Sequence, residues 1–434
     1  MSSPLRNRKY ATEITAANEG EHVSIAGWVH EKRDLGGVFF LIVRDFSGFT
    51  QVTVHRKNAE KELFECVKRV PRESVVAIEG EVKSEQKAPN GYEIVPQRME
   101  VLSEASQVLP LDTTGKVGAE LDTKLDARFM DLRTERTKHI FIIRSRILKA
   151  IRDFLDERGF IELNTPKIVS AATEGGTALF PISYFEREAF LNQSPQLYKQ
   201  MLMASGFDRV YEIAPIFRAE EHDTTKHLNE ATSIDVEVAF VDHEYVMTLL
   251  ELLIAFVYSQ MVDYPGLAKL DVKLEVPKVP FRRITYNEAI DLLSDAGEQI
   301  EWGEDFSTSA EHTLGKEIGE LYFITDWPCA IKPFYAQPAA AAEGICNAFD
   351  LMHPRLELSS GSQRVHSYAL LRENIESKGL SADNFEFYLE AFRYGMPPHA
   401  GWGLGVERLL MCMLEIENIR EVVLFPRDRR RLVP

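Results

Sequence analysis

The sequence predicts an α+β protein in which a small N-terminal β-barrel precedes a larger domain with an antiparallel sheet flanked by helices. The first observation is a series of short, strand-like segments between about residues 20 and 103. The second is that helices and strands do not alternate regularly from Thr134 onward, which argues against a doubly wound parallel sheet. The third is that neither a Gly-x-x-x-x-Gly-Lys-Ser/Thr loop nor a dinucleotide fingerprint occurs. Any bound phosphate must therefore be held by arginines and a metal.

The barrel is predicted from the order of its elements. Alternating segments occur at residues 23–30, 37–44, 49–55, 74–82 and 92–102, and residues 59–68 have a helical pattern. Five strands with a helix between the third and fourth is the order of an oligonucleotide-binding barrel, the OB-fold. Another small barrel without a ligand fits the same order, so the pattern alone does not establish binding.

The domain boundaries are predicted from a loss of periodicity between about Glu104 and Arg133, where Leu109 and Pro110 are typical of a hinge. We expect residues 1–104 to form the OB-fold domain, residues 105–133 a linker, and residues 134–434 one large domain.

The charge of the chain limits the nucleic-acid surfaces it can offer. The formal net charge is −17, whereas phosphate contacts need Lys and Arg. Basic residues do cluster, at residues 32–33, 68–72, 144–152 and 427–431, although each cluster alone is explained by a solvated face. We therefore expect a localised, salt-dependent nucleic-acid footprint at most.

The cysteines and the apolar segments indicate a cytoplasmic protein. The four cysteines are scattered, with no pair at metal-ligand spacing, so neither a disulfide framework nor a zinc site is indicated. No basic and apolar leader opens the chain. The most apolar segment, residues 246–262, contains Glu251 and is expected to be a packed helix, with no membrane partner.

Two stretches of the larger domain combine a recognisable local structure with useful side chains. Residues 135–158 have a helical pattern, with Gly159 suited to the position after a helix and Pro166 to the end of the next strand. A strand, a polar loop and a second strand follow around Arg218 and Glu220. Two positions apart on a strand, these side chains would share a face and could bind a phosphate and an amine. A surface ion pair is also a sufficient explanation.

A third stretch, residues 401–405, has glycine at every second position and leads into an apolar helix through Glu407 and Arg408. Such glycines allow a ligand to approach the backbone, and an arginine at a helix start lies near a bound anion. Each stretch alone is a weak signal. In chain order, however, the three resemble motifs 1, 2 and 3 of the class II aminoacyl-tRNA synthetases, and the resemblance covers nearly the whole chain.

Four further segments resemble one group of that class, the archaeal-type aspartyl-tRNA synthetases of class IIb. The ordered set is highly specific, although single segments are only moderately so. The resemblance implies an enzyme that uses ATP to ligate L-aspartate to tRNA through an aspartyl-adenylate. The segments are Thr173-Glu174-Gly175-Gly176-Thr177, Ser194-Pro195-Gln196-Leu197-Tyr198-Lys199-Gln200, Ser359-Ser360-Gly361-Ser362-Gln363-Arg364 and Leu424-Phe425-Pro426-Arg427-Asp428.

The resemblance also implies an ATP-binding set. Arg218 would bridge the amino-acid carboxylate and the α-phosphate, and Glu220 would accept a hydrogen bond from the adenine amino group. Arg408 would hold the far end of the nucleotide, which makes Arg218 and Arg408 the expected catalytic residues. The full expected set is Arg218, Glu220, Lys226, His227, Leu228, Glu357, Gly405, Val406, Glu407 and Arg408.

Mg²⁺ is expected to balance the charge of the phosphates. The resemblance implies Glu357 and Ser360 as its ligands, and both offer the hard oxygen atoms that this ion prefers. Their spacing alone is unremarkable.

Selection of aspartate rests on local pattern and resemblance together. Ser194 is a suitable N-cap and Pro195 a suitable first helical residue. Gln196, Lys199 and Gln200 then fall on one helix face. By resemblance, the complete aspartate-binding set is Glu174, Gln196, Lys199, Arg218, Asp235, Ser360 and Arg364.

Within that set, Lys199 and Arg364 would clamp the side-chain carboxylate of the substrate. Asp235 would orient Lys199, and Glu174 would close over the substrate amine. Breaking such a pairing by replacing the carboxylate with an amide would cost about 2 to 5 kcal/mol, or roughly 30- to 5,000-fold.

An anticodon site is expected on the barrel. Phe39 and Phe40 are neighbours on a strand, so one can enter the core while the other stacks on a base. The resemblance suggests Phe40 as the stacking platform, with Gln51 and Glu93 reading base edges. An exposed Phe can also simply cover a barrel core.

The sequence departs from one branch of the group at two positions. Members restricted to aspartate tRNA carry Trp after Gly-Trp-Val in the first strand and Lys in the loop before the fifth, where this chain has His30 and Pro89. The combination of His30 and Pro89 resembles the pattern of non-discriminating members, which accept both the aspartate and the asparagine tRNA. The aspartate and asparagine tRNAs differ in the anticodon only at the third base, which is C in the first and U in the second. We therefore expect charging of both tRNA-Asp and tRNA-Asn, followed by a partner amidotransferase. Both residues could instead be ordinary strand-end and turn residues.

Several alternatives stay open at this stage. A synthetase restricted to tRNA-Asp differs only in tRNA choice, and an asparaginyl-tRNA synthetase would share the fold and motifs. An amide ligase that does not use tRNA would lack the barrel, and a noncatalytic RNA-binding protein would not need Arg218 and Arg408. A homodimer is expected because the motif 1 helix and strand form the dimer interface in this class.

Overall fold

The computed structural model describes residues 3–170, 179–221 and 224–434. The chain divides into two compact units, Met1–Thr134 and Glu135–Pro434. The first unit contains α1 (Ser3–Arg6), β1 (His22–Asp34), β2 (Val38–Arg44), β3 (Phe49–His55), α2 (Lys61–Arg69), β4 (Val75–Ser84), β5 (Tyr92–Ser103), α3 (Leu121–Asp126) and α4 (Arg128–Asp131).

The five strands of the first unit close into a barrel in the order β1-β2-β3-β5-β4, which confirms the predicted barrel. Alternate residues such as Val29, Leu41 and Val52 fill its interior, because successive side chains of a strand point to opposite faces. Phe39 is buried in this interior, whereas Phe40 lines a cavity on the outside. Residues 105–133 contain α3, α4 and a small apolar cluster.

A bulge in β1 gives His30 an unusual orientation. Val29 pairs with Val43 and Glu31 pairs with Ile42, which leaves His30 as the extra residue. A bulge of this kind re-aims a side chain. The His30 ring accordingly lies 5.0 Å from the ring of Phe49, and its Nδ1 accepts a hydrogen bond of 2.9 Å from Arg44.

The second unit is larger. Its strands are β6 (Ile161–Glu162), β7 (Ile168–Val169), β8 (Pro181–Tyr184), β9 (Arg187–Leu191), β10 (Arg209–Phe217), β11 (Glu230–Ala239), β12 (Arg282–Thr285), β13 (Tyr322–Pro328), β14 (Ile345–His353), β15 (Leu356–Arg364) and β16 (His399–Gly405). Its helices are α5 (Glu135–Asp156), α6 (Gln196–Met203), α7 (His243–Met261), α8 (Tyr286–Asp295), α9 (Thr308–Ile318), α10 (Tyr368–Ser377), α11 (Glu386–Arg393) and α12 (Val406–Met413). Short 3-10 helices occur at Ala11–Glu13, Ala16–Asn18, Pro265–Lys269, Ala382–Phe385 and Ile419–Val422.

The main sheet of this unit has eight strands in the order β12-β13-β14-β15-β16-β11-β10-β6. Its central pairs are antiparallel, as predicted, but the pairs β10–β6 and β12–β13 at its two edges are parallel. One face packs against α5, α7 and α12 through alternate residues such as Ile234, Val236 and Trp402. The residues between them point to the opposite face, so the polar residues of β11, β15 and β16 are brought together there.

Helix α7 is long and apolar enough to cross a membrane by length and composition. Most of its apolar residues, including Val246, Leu250 and Val257, are instead buried in the main core of the unit. The predicted packed helix is confirmed. Glu251 is also buried and accepts a hydrogen bond of 2.9 Å from the Phe281 backbone N–H.

Three local expectations are corrected. The polar loop of the hairpin around Arg218, expected at residues 221–233, lies at residues 218–229, because β10 ends at Phe217 and β11 begins at Glu230, which pairs with Phe217. Helix α6 begins at Gln196 with Pro195 as the N-cap residue, and the Ser194 hydroxyl does not cap it as predicted. The Oγ atom of Ser194 accepts a hydrogen bond of 3.3 Å from the backbone N–H of Gln196.

A disulfide, which the sequence does not indicate, joins Cys329 and Cys346. The two residues are 17 positions apart. Strand pairing brings them together, because Cys346 lies opposite Trp327 in the β13–β14 pair.

Candidate active site

A cavity of about 450 Å³ opens on the polar face of the eight-stranded sheet. The register of the strands explains its composition. Asp235 on β11 lies opposite Gly403 on β16, Gly403 opposite Ser360 on β15, and Ser360 opposite Asp350 on β14. One row across the sheet therefore carries two carboxylates and a hydroxyl, with a glycine between them that leaves space above the sheet.

A buried glutamate, Glu237, organises the next row. Its carboxylate accepts hydrogen bonds of 2.9 and 3.1 Å from Nε and Nη2 of Arg364. Lys199 Nζ lies 3.5 Å from the same carboxylate and 3.0 Å from Asp235 Oδ1. All four side chains are almost completely buried, and buried charges need such partners.

The ion pairs set the protonation states of this network. Burial alone would raise the pKa of the Glu237 carboxyl, but the charges of Arg364 and Lys199 outweigh it and lower the pKa. Burial likewise would lower the pKa of the Arg364 guanidinium, but Glu237 raises it. Burial lowers the pKa of the adjacent His399 to about 4. Glu237 and Arg364 are therefore both charged at neutral pH, and the His399 imidazole is neutral.

This arrangement corrects one assumption of the sequence argument. Asp235 was expected to orient Lys199 and does contact it, but no partner was expected for Arg364, and Glu237 pairs with Arg364 and lies near Lys199. Arg364 nevertheless lines the cavity. Three of its N–H groups bind Glu237 and the Ser362 hydroxyl, and an arginine has five. Within the described residues, two donors of Arg364 thus remain without a partner, whereas Lys199 is not among the residues that line the cavity.

The glycines of β16 serve the network as well as the cavity. A Cβ at Gly401 would lie 2.2 Å from Glu237 Oε2, and a Cβ at Gly403 would lie 3.3 Å from Asp235 Oδ1. Both glycines therefore allow a close approach to the carboxylates of β11, and Gly403 and Gly405 also line the cavity.

Arg218 and Glu220 lie at another wall of the cavity. Strand β10 ends at Phe217, so the expectation that both residues lie on a strand is wrong. They are held instead by Asn229, whose side-chain amide donates to the carbonyl oxygens of Arg218 at 2.7 Å and Glu220 at 3.2 Å. Both side chains line the cavity.

The end of the chain holds the same loop. The N–H of Ile419 donates to the carbonyl of Thr225 at 2.9 Å, and the Arg420 guanidinium donates to the carbonyl of Thr224 at 2.9 Å. The Asn229 N–H donates to the carbonyl of Arg427 at 2.8 Å. This anchoring was not predicted, because it joins residues about 200 positions apart.

A basic wall is formed by Lys226, His227 and Arg408, all of which line the cavity. Arg408 Nη1 donates to the Glu357 carbonyl at 3.1 Å and lies 3.5 Å from its carboxylate. Burial lowers the pKa of His227, and Arg408 adds to this effect. This wall suits a polyphosphate, because the cations of Arg408 and Lys226 meet there with the imidazole of His227, which can donate a hydrogen bond.

The donor set for a divalent cation fits Mg²⁺. Glu357 and Ser360 both line the cavity, and Asp350 lies opposite Ser360. Asp350 Oδ2 binds Lys332 Nζ at 2.7 Å, while its buried Oδ1 has no hydrogen-bond partner within the described part of the chain. Burial, with Glu357 adding to it, raises the pKa of Asp350. Among the described residues, no three His, Cys, Asp or Glu side chains form a complete metal site, so phosphates or water would have to complete the shell.

Most of the predicted site residues meet in this one cavity. Two do not line it: Lys199 lies beneath it, and Val406 is buried in the apolar core. Glu174 lies outside the described residues. The sequence argument missed Glu237 and Asp350. The first could have been found, because it lies two positions after Asp235, but the second is revealed only by strand register. The predicted residues that line the cavity are Gln196, Arg218, Glu220, Lys226, His227, Leu228, Asp235, Glu357, Ser360, Arg364, Gly405, Glu407 and Arg408.

A second cavity, of about 360 Å³, lies on the outside of the barrel. Phe40, Gln51 and Glu93 all line it. Gln51 Nε2 donates to the Glu93 carboxylate at 3.1 Å. His30 and Pro89 are not among its lining residues.

Comparisons with known proteins agree with the fold of both units. Residues 120–429 match the family described as tRNA synthetases class II (D, K and N), and residues 23–102 match the OB-fold nucleic acid binding domain. The chain belongs to this class II tRNA synthetase family. The predicted class and the predicted OB-fold are confirmed.

Comparisons with individual proteins indicate which synthetases of this family the chain resembles. The chain is 58% identical to the aspartate–tRNA(Asp/Asn) ligase of Archaeoglobus fulgidus over 98% of its own length and 100% of that protein. Among solved structures, the asparaginyl-tRNA synthetase of Pyrococcus horikoshii with asparaginyl-adenylate matches with a TM-score of 0.93 and 33% identity, covering 98% of this chain and 99% of that one. The aspartyl-tRNA synthetase of Entamoeba histolytica matches with a TM-score of 0.86 and 32% identity, covering 98% and 92%. The predicted likeness to aspartate ligases is confirmed.

Proposed function

We propose that this chain is an aspartate–tRNA ligase that activates L-aspartate with ATP and transfers it to both tRNA-Asp and tRNA-Asn. The observation that carries the proposal is the single cavity in which Arg218, Arg408 and Arg364 meet, with carboxylates between them. The family and the 58% identical relative named for both tRNAs support it.

In the first step, the α-carboxylate of aspartate attacks the α-phosphorus of ATP and displaces pyrophosphate. Positioning and charge neutralisation are the main tasks of the protein in such a reaction. Arg218 neutralises the charge that builds on the α-phosphate, and Glu220 accepts from the adenine amino group. Arg408, Lys226 and His227 receive the pyrophosphate end, where their donors are already gathered.

Mg²⁺ would be held by Glu357 and Ser360. When bound, it would neutralise phosphate charge during nucleotide transfer. Asp350 lies opposite Ser360 in the same row, and its buried Oδ1 makes no geometric hydrogen bond within the described residues, so Asp350 is a further candidate ligand that the sequence argument did not include.

Aspartate selection is assigned to Arg364 and Lys199. The two unused N–H groups of Arg364 bind the side-chain carboxylate of the substrate, and Glu237 holds the guanidinium in place. Lys199 supports this from beneath through Asp235. Glu174 is retained as the proposed partner of the substrate amine, with Gln196 at the rim.

In the second step, a hydroxyl group of the terminal tRNA ribose attacks the aspartyl carbonyl and releases AMP. The barrel (residues 1–104) binds the anticodon with Phe40, Gln51 and Glu93, and residues 105–133 link it to the catalytic domain (134–434). His30 and Pro89 are proposed to relax tRNA choice. A tRNA-dependent amidotransferase would then convert aspartyl-tRNA-Asn, and all of these steps take place in the cytoplasm.

A homodimer is proposed as the working form. Exposed apolar side chains at one end of the large sheet support it. Ile161 on β6 pairs with Val210 on β10, Phe207 precedes β10, and Phe240 follows β11. Their exposed fractions are 44%, 40% and 71% for Ile161, Phe207 and Phe240, which is unusual for such residues. Sedimentation analysis should give a species of twice the chain mass, and Phe240→Asp should shift it to the monomer.

Parallel charging of tRNA-Asp and tRNA-Asn transcripts with labelled aspartate at matched salt tests the proposed function. Comparable charging of both is the expected result. Charging of tRNA-Asp alone would restrict the enzyme to one tRNA, and charging of neither would reject the assignment.

A further inference from the structure

The disulfide between Cys329 and Cys346 encloses a segment that reaches the larger cavity. This segment, residues 330–344, contains no helix and no strand longer than an isolated bridge. One covalent bond between the two flanking cysteines therefore closes a part of the cavity lining that no helix or strand holds. The residues of the 330–344 segment that line the cavity are Ile331, Lys332, Pro333, Tyr335 and Ala336.

The 330–344 segment contacts Arg364, the proposed aspartate-binding cation. Ala336 pairs with Arg364 in an isolated antiparallel bridge, and the Val365 N–H donates to the Tyr335 carbonyl at 2.9 Å. The guanidinium carbon of Arg364 lies 5.3 Å from the centre of the Tyr335 ring, which is the distance of a cation–π contact. The position of the Arg364 guanidinium therefore depends on where the segment lies.

The same segment also reaches the proposed Mg²⁺ site. Lys332 Nζ binds Asp350 Oδ2 at 2.7 Å and lies 3.9 Å from the centre of the Trp327 ring. Trp327 lies opposite Cys346 in the β13–β14 pair. A displacement of the 330–344 segment would therefore change the surroundings of Asp350 as well as those of Arg364.

The two sulfur atoms differ in how easily a reductant can reach them. Cys346 is 2% exposed, whereas Cys329 is half-buried. Thiol–disulfide exchange starts when a thiolate attacks a sulfur that it can reach. The Lys378 ammonium donates to the carbonyl oxygens of Cys329 at 3.1 Å and Ala330 at 2.6 Å, and this cation attracts an approaching thiolate. The structure therefore directs attack to Cys329 Sγ.

A disulfide is uncommon in the cytoplasm, where the proposed function takes place. Thioredoxin and glutathione keep most cytosolic thiols reduced, and outside hyperthermophiles a disulfide in this compartment is usually catalytic or redox-sensing. Neither Cys329 nor Cys346 lines the cavity, so the bond takes no part in the chemistry there. A redox response fits the bond, and a permanent structural bond is the alternative that an experiment must separate from it.

We propose that the Cys329–Cys346 pair is a redox modification site, and that its reduction by a dithiol weakens aspartate binding in the larger cavity. The inference rests on the proposed function, because Arg364 is the cation that aspartate would contact. One thiolate of the dithiol attacks Cys329 Sγ, which forms a mixed disulfide and releases Cys346 as a thiolate. The second thiolate of the dithiol then attacks the first sulfur of the dithiol and releases Cys329. The dithiol becomes a disulfide, and its two electrons and two protons stay on the two cysteines.

The test measures aspartate-dependent ATP–pyrophosphate exchange by enzyme purified in air, before and after reduction with dithiothreitol and after reoxidation with oxidised glutathione. Reduction should raise the KM for aspartate about tenfold and change kcat less than about threefold, because the bond positions a substrate-binding group. Reoxidation should restore the original KM. A permanent structural bond would leave the KM unchanged on reduction and lower only the stability of the protein.

Two variants check that the response comes from this pair of cysteines. The double variant Cys329→Ser/Cys346→Ser should have the KM of the reduced enzyme and should not respond to dithiothreitol. The control Cys66→Ser, at a free and half-buried cysteine of the barrel unit, should respond as the unmodified enzyme does. If the double variant does not fold, reduction and reoxidation of the unmodified enzyme still decide the question.

Two further measurements need no substrate. Alkylation of the denatured protein, read by mass spectrometry, should label the free cysteines Cys66 and Cys412 before reduction and all four cysteines after it. Hydrogen exchange in residues 330–344 should be faster in the reduced enzyme. Labelling of all four cysteines before reduction, or an unchanged KM after complete reduction, would overturn the inference. If neither form catalyses exchange, the proposed function is rejected instead, and hydrogen exchange still shows whether reduction loosens the segment.

Discussion

Each unit of the chain contains a buried glutamate that gathers cationic side chains, and the two differ in what lies beside them. In the barrel unit, the Glu73 carboxylate binds Arg44 at 2.8 and 3.1 Å, Arg133 at 2.8 Å and the Thr113 hydroxyl at 2.7 Å. In the catalytic unit, Glu237 binds Arg364 and lies near Lys199.

The difference lies in where the remaining donors point. The partners of Glu73 stack on Trp28, from which the guanidinium carbons of Arg44 and Arg133 lie 5.8 and 5.2 Å, and neither lines a cavity described here. Arg364, by contrast, lines the larger cavity, and two of its N–H groups have no partner within the described part of the chain. A buried ion network therefore indicates function only when it borders a space that a ligand can enter.

The largest effect is expected from Glu237→Gln. Removing one partner leaves buried cations uncompensated, and Arg364 loses the partner that orients it. We expect aspartate-dependent ATP–pyrophosphate exchange to fall about 100- to 1,000-fold in kcat/KM. Exchange activity close to that of the unmodified enzyme would mean that Arg364 needs no such support.

The matching change in the barrel, Glu73→Gln, should lower the stability of the first unit. The rate of ATP–pyrophosphate exchange should stay within about twofold of that of the unmodified enzyme. We expect the free energy of unfolding of the first unit to fall by about 3 kcal/mol. Hydrogen exchange followed by mass spectrometry can localise this loss to β1–β5. Glu60→Gln, at an exposed site, serves as the control, and a large loss of exchange activity in Glu73→Gln would erase the contrast between the networks.

A pair of glycine substitutions sharpens the same comparison. An added Cβ would lie 2.2 Å from Glu237 Oε2 at Gly401 and 2.2 Å from the Arg44 carbonyl oxygen at Gly27. Such crowding costs about 1 to 3 kcal/mol. Gly401→Ala should raise the KM for aspartate in the exchange assay, whereas Gly27→Ala should lower only the stability of the barrel. Equal effects on KM would show that the two sites are not functionally distinct.

The smallest expected effect is a difference in acid stability. The pKa of His399 in the folded catalytic unit is about 4 because of burial, against an ordinary value near 6.5. Below pH 6.5 the unfolded chain binds a proton that the folded unit excludes, so stability falls as pH drops from about 6.5 to 4. At pH 5 the loss is about 2 kcal/mol.

The barrel should lose stability in a lower pH range than the catalytic unit does. Its partners hold the pKa of Glu73 far below the ordinary value, so the stabilising contribution is present above about pH 4.3 and is lost as pH falls further. Hydrogen exchange between pH 7 and 5, corrected for intrinsic rates, should show loosening of the catalytic unit first. Earlier loosening of the barrel would contradict this assignment.

The fold could be predicted from the sequence largely because strand periodicity and motif order are local signals. The barrel, the packed helix α7 and the hairpin around Arg218 all follow from them. Contacts across the sheet could not be predicted in this way. Asp350 meets Ser360, and Cys346 meets Cys329, only through strand register, and the pairing of Arg364 with Glu237 joins residues 127 positions apart.

The functional residues were predicted with the same limitation to local signals: motifs were found, but contacts across the sheet were missed. The resemblance supplied most of the cavity lining and the pairing of Lys199 with Asp235, but it did not include Glu237, because a sequence does not show which carboxylate faces Arg364 across the sheet. His30 was predicted to act by the size of its side chain. Its position in a bulge, against Phe49 and Arg44, could not be predicted from the sequence, because it depends on the register between β1 and β2.

The amino-acid specificity is the central claim, and it is tested most directly by ATP–pyrophosphate exchange with aspartate and asparagine compared at equal concentrations. The cations Arg364 and Lys199 favour a carboxylate, so we predict exchange with aspartate at least about 30-fold faster in kcat/KM than with asparagine. Comparable exchange with asparagine would contradict the account, since it would mean that Glu237 and Asp235 neutralise the site completely.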